Sequence, residues 1–333
     1  MMHKMKYETI RWGMIGVGDV TRKKSAPSFN KIDHSELVAV GSRTPENAKR
    51  FAAENRINKS YDNPLQVISD PDVDAVYIAT PPGSHTEYAL EVIRAGKPVY
   101  IEKPMARTYQ ECKVINEAAA RNNVPVYVAY YRRSLAYFEK VKEILEQGDL
   151  GRLLAVHTDQ HFSARPEDFN RTSPPWRIVP EISGGGYFHD VGCHALDILF
   201  YLLGDPVSVT GYATNLAGIY EPEDTVTAIV RLPGDLLLTG NWSFVVPEPH
   251  QRDRVLVTGE HGTLAFSIFS FEPIRLEIHG EASLISVEPP EHIQQPFIQT
   301  IVDELTGKGT CPSTGVTAAV TSRAMDQILM RQA

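Results

Sequence analysis

The stretch Trp12-Gly13-Met14-Ile15-Gly16-Val17-Gly18-Asp19-Val20 predicts how the chain begins to fold. A short apolar strand runs into Gly16-x-Gly18, and residues 19–30 then have the pattern of a helix. The first glycine permits a tight turn, and the second lets the backbone approach a pyrophosphate at the helix N-terminus. Thr21 stands where glycine or alanine is expected, so this dinucleotide fingerprint is degenerate. The candidate cofactor contacts here are Gly16, Val17, Gly18, Asp19 and Val20.

A second strand, residues 36–41, follows at the distance where an acidic residue usually binds the adenosine ribose. This strand ends instead in Ser42-Arg43-Thr44. An acid would repel a 2′-phosphate, whereas Ser42 and Arg43 can donate hydrogen bonds to it, and Arg43 adds a charge-assisted contact. These residues favour NADP as the cofactor. The alternative is that Arg43 only stacks on the adenine, in which case NAD binds as well.

Strands and helices continue to alternate up to residue 129. Helical patterns cover residues 47–55, 85–95 and 108–122, and apolar strands cover residues 74–79, 99–101 and 125–129. This alternation predicts an α/β fold with a doubly wound parallel sheet, a Rossmann domain, over residues 1–130.

Ligands of such sheets bind outside the carboxyl ends of the strands. Two further strand ends therefore carry candidate cofactor residues, namely Thr80, Pro82, His85, Glu102 and Lys103. His85 also suits the start of a helix. In Glu102-Lys103-Pro104 the proline ends the strand and biases Lys103 towards an extended backbone, so an acid and a base reach the ligand edge. A surface ion pair in a turn is the alternative interpretation.

After Tyr130 the sequence pattern changes to short apolar runs separated by turns. They predict a second α/β domain, residues 131–333, with a large, open and mainly antiparallel sheet. Its last helix, at about residues 316–330, has the option of packing back on the first domain. A domain with one broad sheet face often forms a subunit interface, so we expect a homo-oligomer.

One helix in this second domain carries the remaining chemistry. Its sequence is Gly184-Gly-Gly186-Tyr-Phe-His189-Asp190-Val-Gly-Cys193-His194-Ala-Leu-Asp197, and three successive glycines allow close approach of a backbone or ligand. Asp190, His194 and Asp197 share one helical face. A carboxylate held against His194 fixes its tautomer and raises its basicity, as in a general base, while Asp197 suits a structural role. Only two ligands on one face make a metal site unfavourable, and none is predicted.

The segment before this helix is Pro174-Pro175-Trp176-Arg177. Trp176 can stack on a ring and Arg177 can hold a hydroxyl or carbonyl oxygen, or both can seal the loop. The loop at residues 157–171, which includes His161, is polar. Together these residues favour a small polyhydroxylated substrate.

Composition limits the classes of partner. The chain has 333 residues, of which 42% are hydrophobic, so it can form two ordinary folded domains. Its net charge of −8 argues against nucleic acid as a partner. Three scattered cysteines fit a reducing compartment. The sequence shows neither a signal peptide nor an apolar run of membrane-spanning length, so we expect a cytoplasmic protein with no membrane partner.

Taken together, these motifs resemble those of the Gfo/Idh/MocA oxidoreductases, a family that includes glucose–fructose oxidoreductase and inositol dehydrogenases. The matching segments are Gly16-Val-Gly18, Ala79-Thr-Pro-Pro82 with His85, Glu102-Lys103-Pro104, and Gly184 to Asp197, in an order that fits about residues 11–331. The resemblance implies NAD(P)-dependent hydride transfer to or from a carbinol or carbonyl carbon of a sugar, cyclitol or related polyol. It places Lys103, Asp190 and His194 at catalytic positions, and Tyr131, Arg132, Trp176 and Arg177 near the substrate.

The resemblance also implies a homodimer or homotetramer formed through the open sheet. Either Lys103 or His194 can be the group that takes the proton. Two alternative functions stay open: a redox-neutral glycoside hydrolase or lyase with tightly bound NAD, and a non-enzymatic NAD(P) sensor. A sensor has no need of a proton relay, so Lys103, Asp190 and His194 together argue against it.

Overall fold

The computed structural model describes residues 7–18, 21 and 25–331, which fall into two compact units. The first unit contains the chain up to Ala106, then Gln110–Leu135 and Pro290–Ala319. The second contains Arg107–Tyr109, Ala136–Pro289 and the chain from Val320 onwards. The first unit is therefore assembled from three separate segments, and Pro290–Ala319 belongs to it although the sequence analysis assigned these residues to the second domain.

A six-stranded parallel sheet forms the centre of the first unit, with the strand order β3-β2-β1-β4-β5-β6. This is the doubly wound order of a Rossmann fold, so the predicted fold class is confirmed. The strands are β1 (Ile10–Ile15), β2 (Ser35–Gly41), β3 (Lys59–Tyr61), β4 (Ala75–Ile78), β5 (Val99–Ile101) and β6 (Val126–Val128). The helices that alternate with them are α1 (Ala26–Phe29), α2 (Pro45–Asn55), α3 (Pro64–Ser69), α4 (His85–Arg94) and α5 (Tyr109–Asn122).

The central strands are apolar because both faces of a parallel sheet are covered. All residues of β4, β5 and β6 are buried. A group of aromatic rings fills the core: Tyr77 and Tyr100 stack at 4.5 Å, and Trp12 packs on Phe29 at 5.2 Å. Phe297, from the last segment of this unit, lies 5.8 Å from Tyr100, so the late segment completes the core.

The second unit contains an eight-stranded sheet in the order β14-β13-β12-β11-β7-β10-β9-β8. Every neighbouring pair is antiparallel except β7 and β10, so the predicted open, mainly antiparallel sheet is confirmed. The strands are β7 (Leu153–His161), β8 (Ser208–Thr214), β9 (Thr225–Arg231), β10 (Leu237–Ser243), β11 (Arg252–Gly259), β12 (Gly262–Phe266), β13 (Ile274–Ile278) and β14 (Glu281–Ile285). The helices of this part are α6 (Ala136–Gln147), α7 (Pro180–Ser183) and α8 (Cys193–Leu203).

Burial alternates along this sheet, as expected when one face packs on a core and the other faces solvent. In β9, for example, Val226, Ala228 and Val230 are buried, whereas Ile229 is 48% exposed. We call the solvent-facing side of this sheet its open face. The chain ends in α9 (Gln295–Leu305), which belongs to the first unit, and α10 (Gly315–Ile328). No helix in residues 7–18, 21 and 25–331 has the length and apolar character that crossing a membrane requires.

One local difference from the sequence analysis affects the predicted site. The helix before α8 does not have regular α-helical spacing, because Phe188–Gly192 form a π-helix. The ring of Phe188 lies 2.6 Å from where a β-carbon on Gly192 would stand, so glycine allows this ring to cover the turn. A π-turn holds more residues than an α-turn, so it changes the direction of Asp190 relative to His194. The four-residue spacing in sequence therefore gives only an approximate account of this face.

Candidate active site

The carboxyl end of β1 has the geometry of a dinucleotide-binding turn. Gly16 has φ +97°, and a β-carbon there would lie 2.9 Å from the Ala79 carbonyl carbon, so glycine is required. Around Gly18 a β-carbon would meet nothing within 4 Å, which leaves room for a ligand. Thr21 donates a hydrogen bond of 2.6 Å to the Gly18 carbonyl oxygen, so the unusual third residue is bonded to the second glycine of the fingerprint. The predicted contacts Asp19 and Val20 lie outside the described residues.

The end of β2 presents a cation. The Thr44 amide donates to the Ser42 hydroxyl oxygen at 3.2 Å, and this bond shapes the turn that carries Arg43. Arg43 itself is exposed, and its guanidinium forms no ion pair with any residue that the structure describes. A positive charge without an acidic partner at this edge suits an anionic group of the cofactor.

His85 connects two loops at the same sheet edge. Its Nε2 lies 2.7 Å from the Thr80 carbonyl oxygen and its Nδ1 lies 3.1 Å from the Pro104 carbonyl oxygen. Burial lowers the pKa of His85, so the neutral ring donates one hydrogen bond, which we assign to Nε2 from the shorter distance. His85 therefore ties the loop after β4 to the loop after Lys103, whereas Pro82 begins a short 3₁₀ helix ahead of it. These bonds describe a structural role.

A buried carboxylate anchors the residue before Lys103. Glu102 is 6% exposed, and its Oε1 accepts hydrogen bonds from the Tyr77 hydroxyl at 2.6 Å and from Gln294 Nε2 at 2.8 Å. Its Oε2 accepts from the backbone amide of Lys103 at 3.2 Å. Gln294 is itself held by the hydroxyl of Tyr100, which donates to Gln294 Oε1 at 2.9 Å. We call these four side chains the Glu102 network.

The Glu102 network explains why Glu102 precedes Lys103. Both carboxylate oxygens are engaged inside the first unit, so Glu102 positions the backbone of Lys103 at the end of β5. Burial raises the pKa of Tyr77 and Tyr100 well above the ordinary range, and the nearby carboxylate adds to both shifts. Both phenols therefore stay protonated, and the Tyr77 hydroxyl can donate to Glu102.

Two predicted substrate residues follow β6. Tyr131 and Arg132 begin a 3₁₀ helix, and both are 5% exposed. The guanidinium of Arg132 lies 5.1 Å from the centre of the Tyr131 ring. Arg133 beside them donates to the Pro312 carbonyl oxygen at 2.8 Å. This turn is therefore fixed in part by the late segment of the first unit.

In the second unit, three predicted site residues come together. Arg177 Nε donates to Asp190 Oδ2 at 3.0 Å, and the same guanidinium lies 4.5 Å from the centre of the Trp176 ring. Asp190 is 8% exposed, whereas the Arg177 side chain is 27% exposed. Arg177, which the sequence predicts as a substrate contact, is bonded here to the carboxylate of Asp190 and orients it.

His194 lies in the first turn of α8 and is 5% exposed. Its ring stands nearly perpendicular to the Phe269 ring, at 6.1 Å between centres. Cys193 donates through its Sγ to the Asp190 carbonyl oxygen at 3.3 Å. Asp197 accepts a hydrogen bond from the Thr321 hydroxyl at 3.2 Å, which agrees with its interpretation as a structural residue.

The glycine segment before His189 is packed against other backbone. Gly184 has φ +86°, and a β-carbon there would lie 2.7 Å from the Arg107 α-carbon. A β-carbon on Gly186 would lie 2.8 Å from the Pro222 side chain. Next to it, the Tyr187 hydroxyl donates to the buried carboxylate of Asp168 at 2.6 Å. Close packing and this bond fix the backbone that leads into the π-helix.

His161 lies in a different group. It is the last residue of β7, and its Nε2 lies 2.7 Å from Asn241 Oδ1 on β10. Asp159 is the nearest acid, with its Oδ1 at 4.0 Å from His161 Nε2. His161 thus contacts side chains of the sheet rather than Arg177 and Asp190. Across the described ranges, no three His, Cys, Asp or Glu side chains converge in a way that could hold a metal ion.

Comparison with known proteins identifies the family. Residues 10–130 match the model of the "Oxidoreductase family, NAD-binding Rossmann fold", and residues 138–265 match the "GFO/IDH/MocA C-terminal domain". The chain belongs to the GFO/IDH/MocA oxidoreductase family. It is therefore an NAD(P)-dependent oxidoreductase, and the resemblance stated from the sequence is confirmed.

Several known proteins are similar along nearly the whole chain. Oxidoreductase P35 of Formosa agariphila is 34% identical over 95% of this chain and 97% of its own length. The scyllo-inositol 2-dehydrogenase (NAD(+)) of Bacillus subtilis is 24% identical over 94% of this chain and 89% of its own. A levoglucosan dehydrogenase solved with NADH and levoglucosan has the same fold, with a TM-score of 0.85, 20% identity and 96% of each chain covered.

Some residues with structural roles in this GFO/IDH/MocA protein could not be predicted from its sequence. Gln294 lies 192 residues after Glu102, and no local pattern connects the two. Phe269 follows β12, and an apolar side chain in a loop gives no indication from sequence that it lies near His194. Asp168 could have been noticed, because it is an acid in a loop that the sequence analysis describes as polar. It is 2% exposed and accepts the hydrogen bond from Tyr187.

We expect Gln294→Leu to destabilise the protein. The substitution leaves the Tyr100 hydroxyl without its acceptor and removes one donor to the buried Glu102, and such losses cost about 1–3 kcal/mol. The free energy of unfolding in urea measures the effect. Gln327→Leu, the same change at an exposed position of α10, is the control and should stay within about 0.5 kcal/mol of wild type. Equal effects of the two variants would contradict the role given to Gln294.

Proposed function

We propose that this enzyme transfers a hydride between NAD(P) and a carbinol or carbonyl carbon of a sugar, cyclitol or related polyol. The observation that carries the proposal is the position of Lys103. It follows β5 at the ligand edge of an NAD-binding sheet, and its backbone amide is held by the buried Glu102 carboxylate. A base anchored in this way suits proton transfer at a substrate hydroxyl.

The cofactor fits the residues at this edge. Gly16 and Gly18 would hold the pyrophosphate through the turn after β1, and Ser42 and Arg43 would hold the adenosine ribose. Thr80, Pro82, Glu102 and Lys103 are proposed to line the nicotinamide end. When bound, the nicotinamide accepts a hydride from the carbinol carbon in oxidation and returns it in reduction.

The protein's own residues supply the proton transfer. In oxidation, the substrate hydroxyl gives its proton to Nζ of Lys103 or to an imidazole nitrogen of His194. Asp190 orients His194, and Arg177 holds the Asp190 carboxylate in place. Tyr131, Arg132, His161, Trp176 and Arg177 are the proposed substrate contacts. In reduction the same groups return the proton to the developing alkoxide.

NADP is the proposed cofactor, and Arg43 is the reason. Its exposed guanidinium, which has no acidic partner among the described residues, can form a charge-assisted hydrogen bond with a 2′-phosphate. NAD lacks the 2′-phosphate, so it would bind without the hydrogen bond to Arg43 but would keep the other cofactor contacts.

A homo-oligomer formed through the open face of the sheet is also proposed. Ile229 and Leu237 lie on neighbouring strands of this face, and each is 48% exposed. Exposed apolar residues on a broad, regular surface are typical of subunit interfaces. A homodimer or homotetramer would cover them.

Replacement of Lys103 tests the proposed reaction. Purified protein is first checked for carried-over cofactor, and NAD(P)H formation is then followed with sugars and cyclitols. Lys103→Met should lower kcat by about 10²–10⁴-fold, since that is the contribution of general acid–base catalysis. Lys308→Met, at an exposed lysine of the first unit, is the control.

Other outcomes of this experiment decide against the proposal. A Lys103→Met enzyme within about threefold of wild type would exclude Lys103 from proton transfer. Protein that arrives loaded with NAD and forms no net NADH would indicate a redox-neutral hydrolase or lyase. Protein that binds cofactor and turns over no substrate would indicate a sensor.

Replacement of Arg43 tests the choice of cofactor. Arg43→Ala should raise the dissociation constant of NADPH by about tenfold, or about 1.4 kcal/mol, and leave that of NADH unchanged. Fluorescence titration with both cofactors measures this. Arg50→Ala, at an exposed arginine of α2, is the matched control. Tighter binding of NADH than of NADPH by the wild-type enzyme would refute the NADP preference.

The mass in solution tests the proposed assembly. Light scattering should give two or four times the mass of one chain. Ile229→Asp should dissociate this oligomer, because it places a charge at the centre of an apolar interface. Val316→Asp changes a residue that is 70% exposed in the first unit and should leave the mass unchanged. A monomeric wild-type protein would rule out the proposed interface.

A further inference from the structure

Phe269 lies beside the proposed base and has no role in the mechanism so far. Its ring centre is 6.1 Å from that of His194, and the two ring planes are 80° apart. His194 is buried, whereas Phe269 keeps part of its surface exposed. An apolar ring therefore borders the place where a substrate hydroxyl would meet the imidazole.

The loop that carries Phe269 is held by one carboxylate. Asp253, on β11, accepts hydrogen bonds from the backbone amides of Ile268 at 3.0 Å, Phe269 at 2.6 Å and Ser270 at 2.9 Å. Gln160 donates to the same side chain at 3.1 Å. Three successive amides on one anion leave this backbone little freedom, so the position of Phe269 is set before any ligand arrives.

A second aromatic ring supports Phe269. The Phe162 ring lies 5.6 Å from it with an interplanar angle of 87°, and Phe162 in turn stacks on Phe244 at 6.2 Å. Edge-to-face and stacked pairs of this kind are favourable contacts that restrain ring rotation. Phe269 is thus a rigid wall of the His194 environment.

Such a wall distinguishes polyols by shape. A pyranose or cyclitol ring carries its C–H groups on its faces and its equatorial hydroxyls around its edge. The π-face of an aromatic ring is electron-rich and attracts the weakly positive hydrogens of C–H groups. An acyclic polyol interconverts among conformers and presents no lasting C–H face, so it gains less from the same contact and loses more entropy.

We propose that Phe269 is a specificity-determining residue that selects cyclic polyols by packing on the C–H face of the ring. The proposal rests on the proposed function, since it takes His194 as part of the substrate site. It narrows the substrate class from sugars, cyclitols and polyols to those with a six-membered ring. It also assigns Asp253 as the positioning residue of this wall.

Steady-state kinetics and calorimetry of Phe269→Leu test the proposal. The substrates are cyclic (myo-inositol, levoglucosan and D-glucose) or acyclic (D-sorbitol and glycerol), each with saturating NAD(P). Leucine keeps apolar bulk and removes the π-face, so KM for the cyclic substrates should rise about threefold to tenfold. Values for the acyclic substrates, and kcat for both classes, should stay within about twofold of wild type.

Two variants serve as controls. Phe271→Leu makes the same change in the same loop, at a ring that packs on Tyr137 at 5.4 Å, and should leave the ratio of the two substrate classes unchanged. Phe269→Tyr keeps the π-face and should retain the preference for rings. Thermal melting confirms that each variant is folded.

The outcomes separate this proposal from the proposed function. Unchanged KM for cyclic substrates in Phe269→Leu, or equal changes for both classes, would overturn the assignment while leaving the oxidoreductase function in place. Wild-type protein that forms no NAD(P)H but binds a cyclic polyol more tightly than Phe269→Leu does would support the contact and refute the reaction. Failure of wild-type protein to bind any cyclic polyol of the panel would overturn the contact as well.

Discussion

A single buried carboxylate is the constraint on which the first unit depends. Glu102 places a negative charge inside a core of aromatic rings, where it is tolerated only because donors surround it. Those donors come from β4, from the backbone of Lys103 and from Gln294 near the end of the chain. The arrangement links the stability of the unit to the position of its proposed catalytic lysine, because the same oxygens serve both.

In the second unit, a buried carboxylate is stabilised by a cation. Asp190 is buried, and Arg177 balances its charge at 3.0 Å. Since this arginine also lies against Trp176, its position is restrained from two sides. Each unit therefore holds one of these buried acids with neighbours from its own fold.

The sequence allowed the fold class to be predicted because periodicity is a local property. Strand–helix alternation predicted the parallel sheet, and short apolar runs separated by turns predicted the antiparallel one. The short, polar β3 and the exposed β14 carry no such pattern. Site residues in motifs, such as Gly16 and Lys103, were equally visible. Gln294 and Phe269 were not, because their importance comes from contacts over long sequence separations. The π-helix at Phe188–Gly192 depends on packing around Gly192, which helical spacing does not express.

The three-segment composition of the first unit has a consequence for synthesis on the ribosome. Domains generally fold as units, with the N-terminal one first. Here the opening strands emerge early, yet Gln294 and Phe297, which complete their core, are translated only after the whole second sheet. The second unit can thus be finished while the first still exposes an aromatic surface. Such transiently exposed apolar surface is prone to aggregation, so the first unit is the more vulnerable of the two until its last segment has been made.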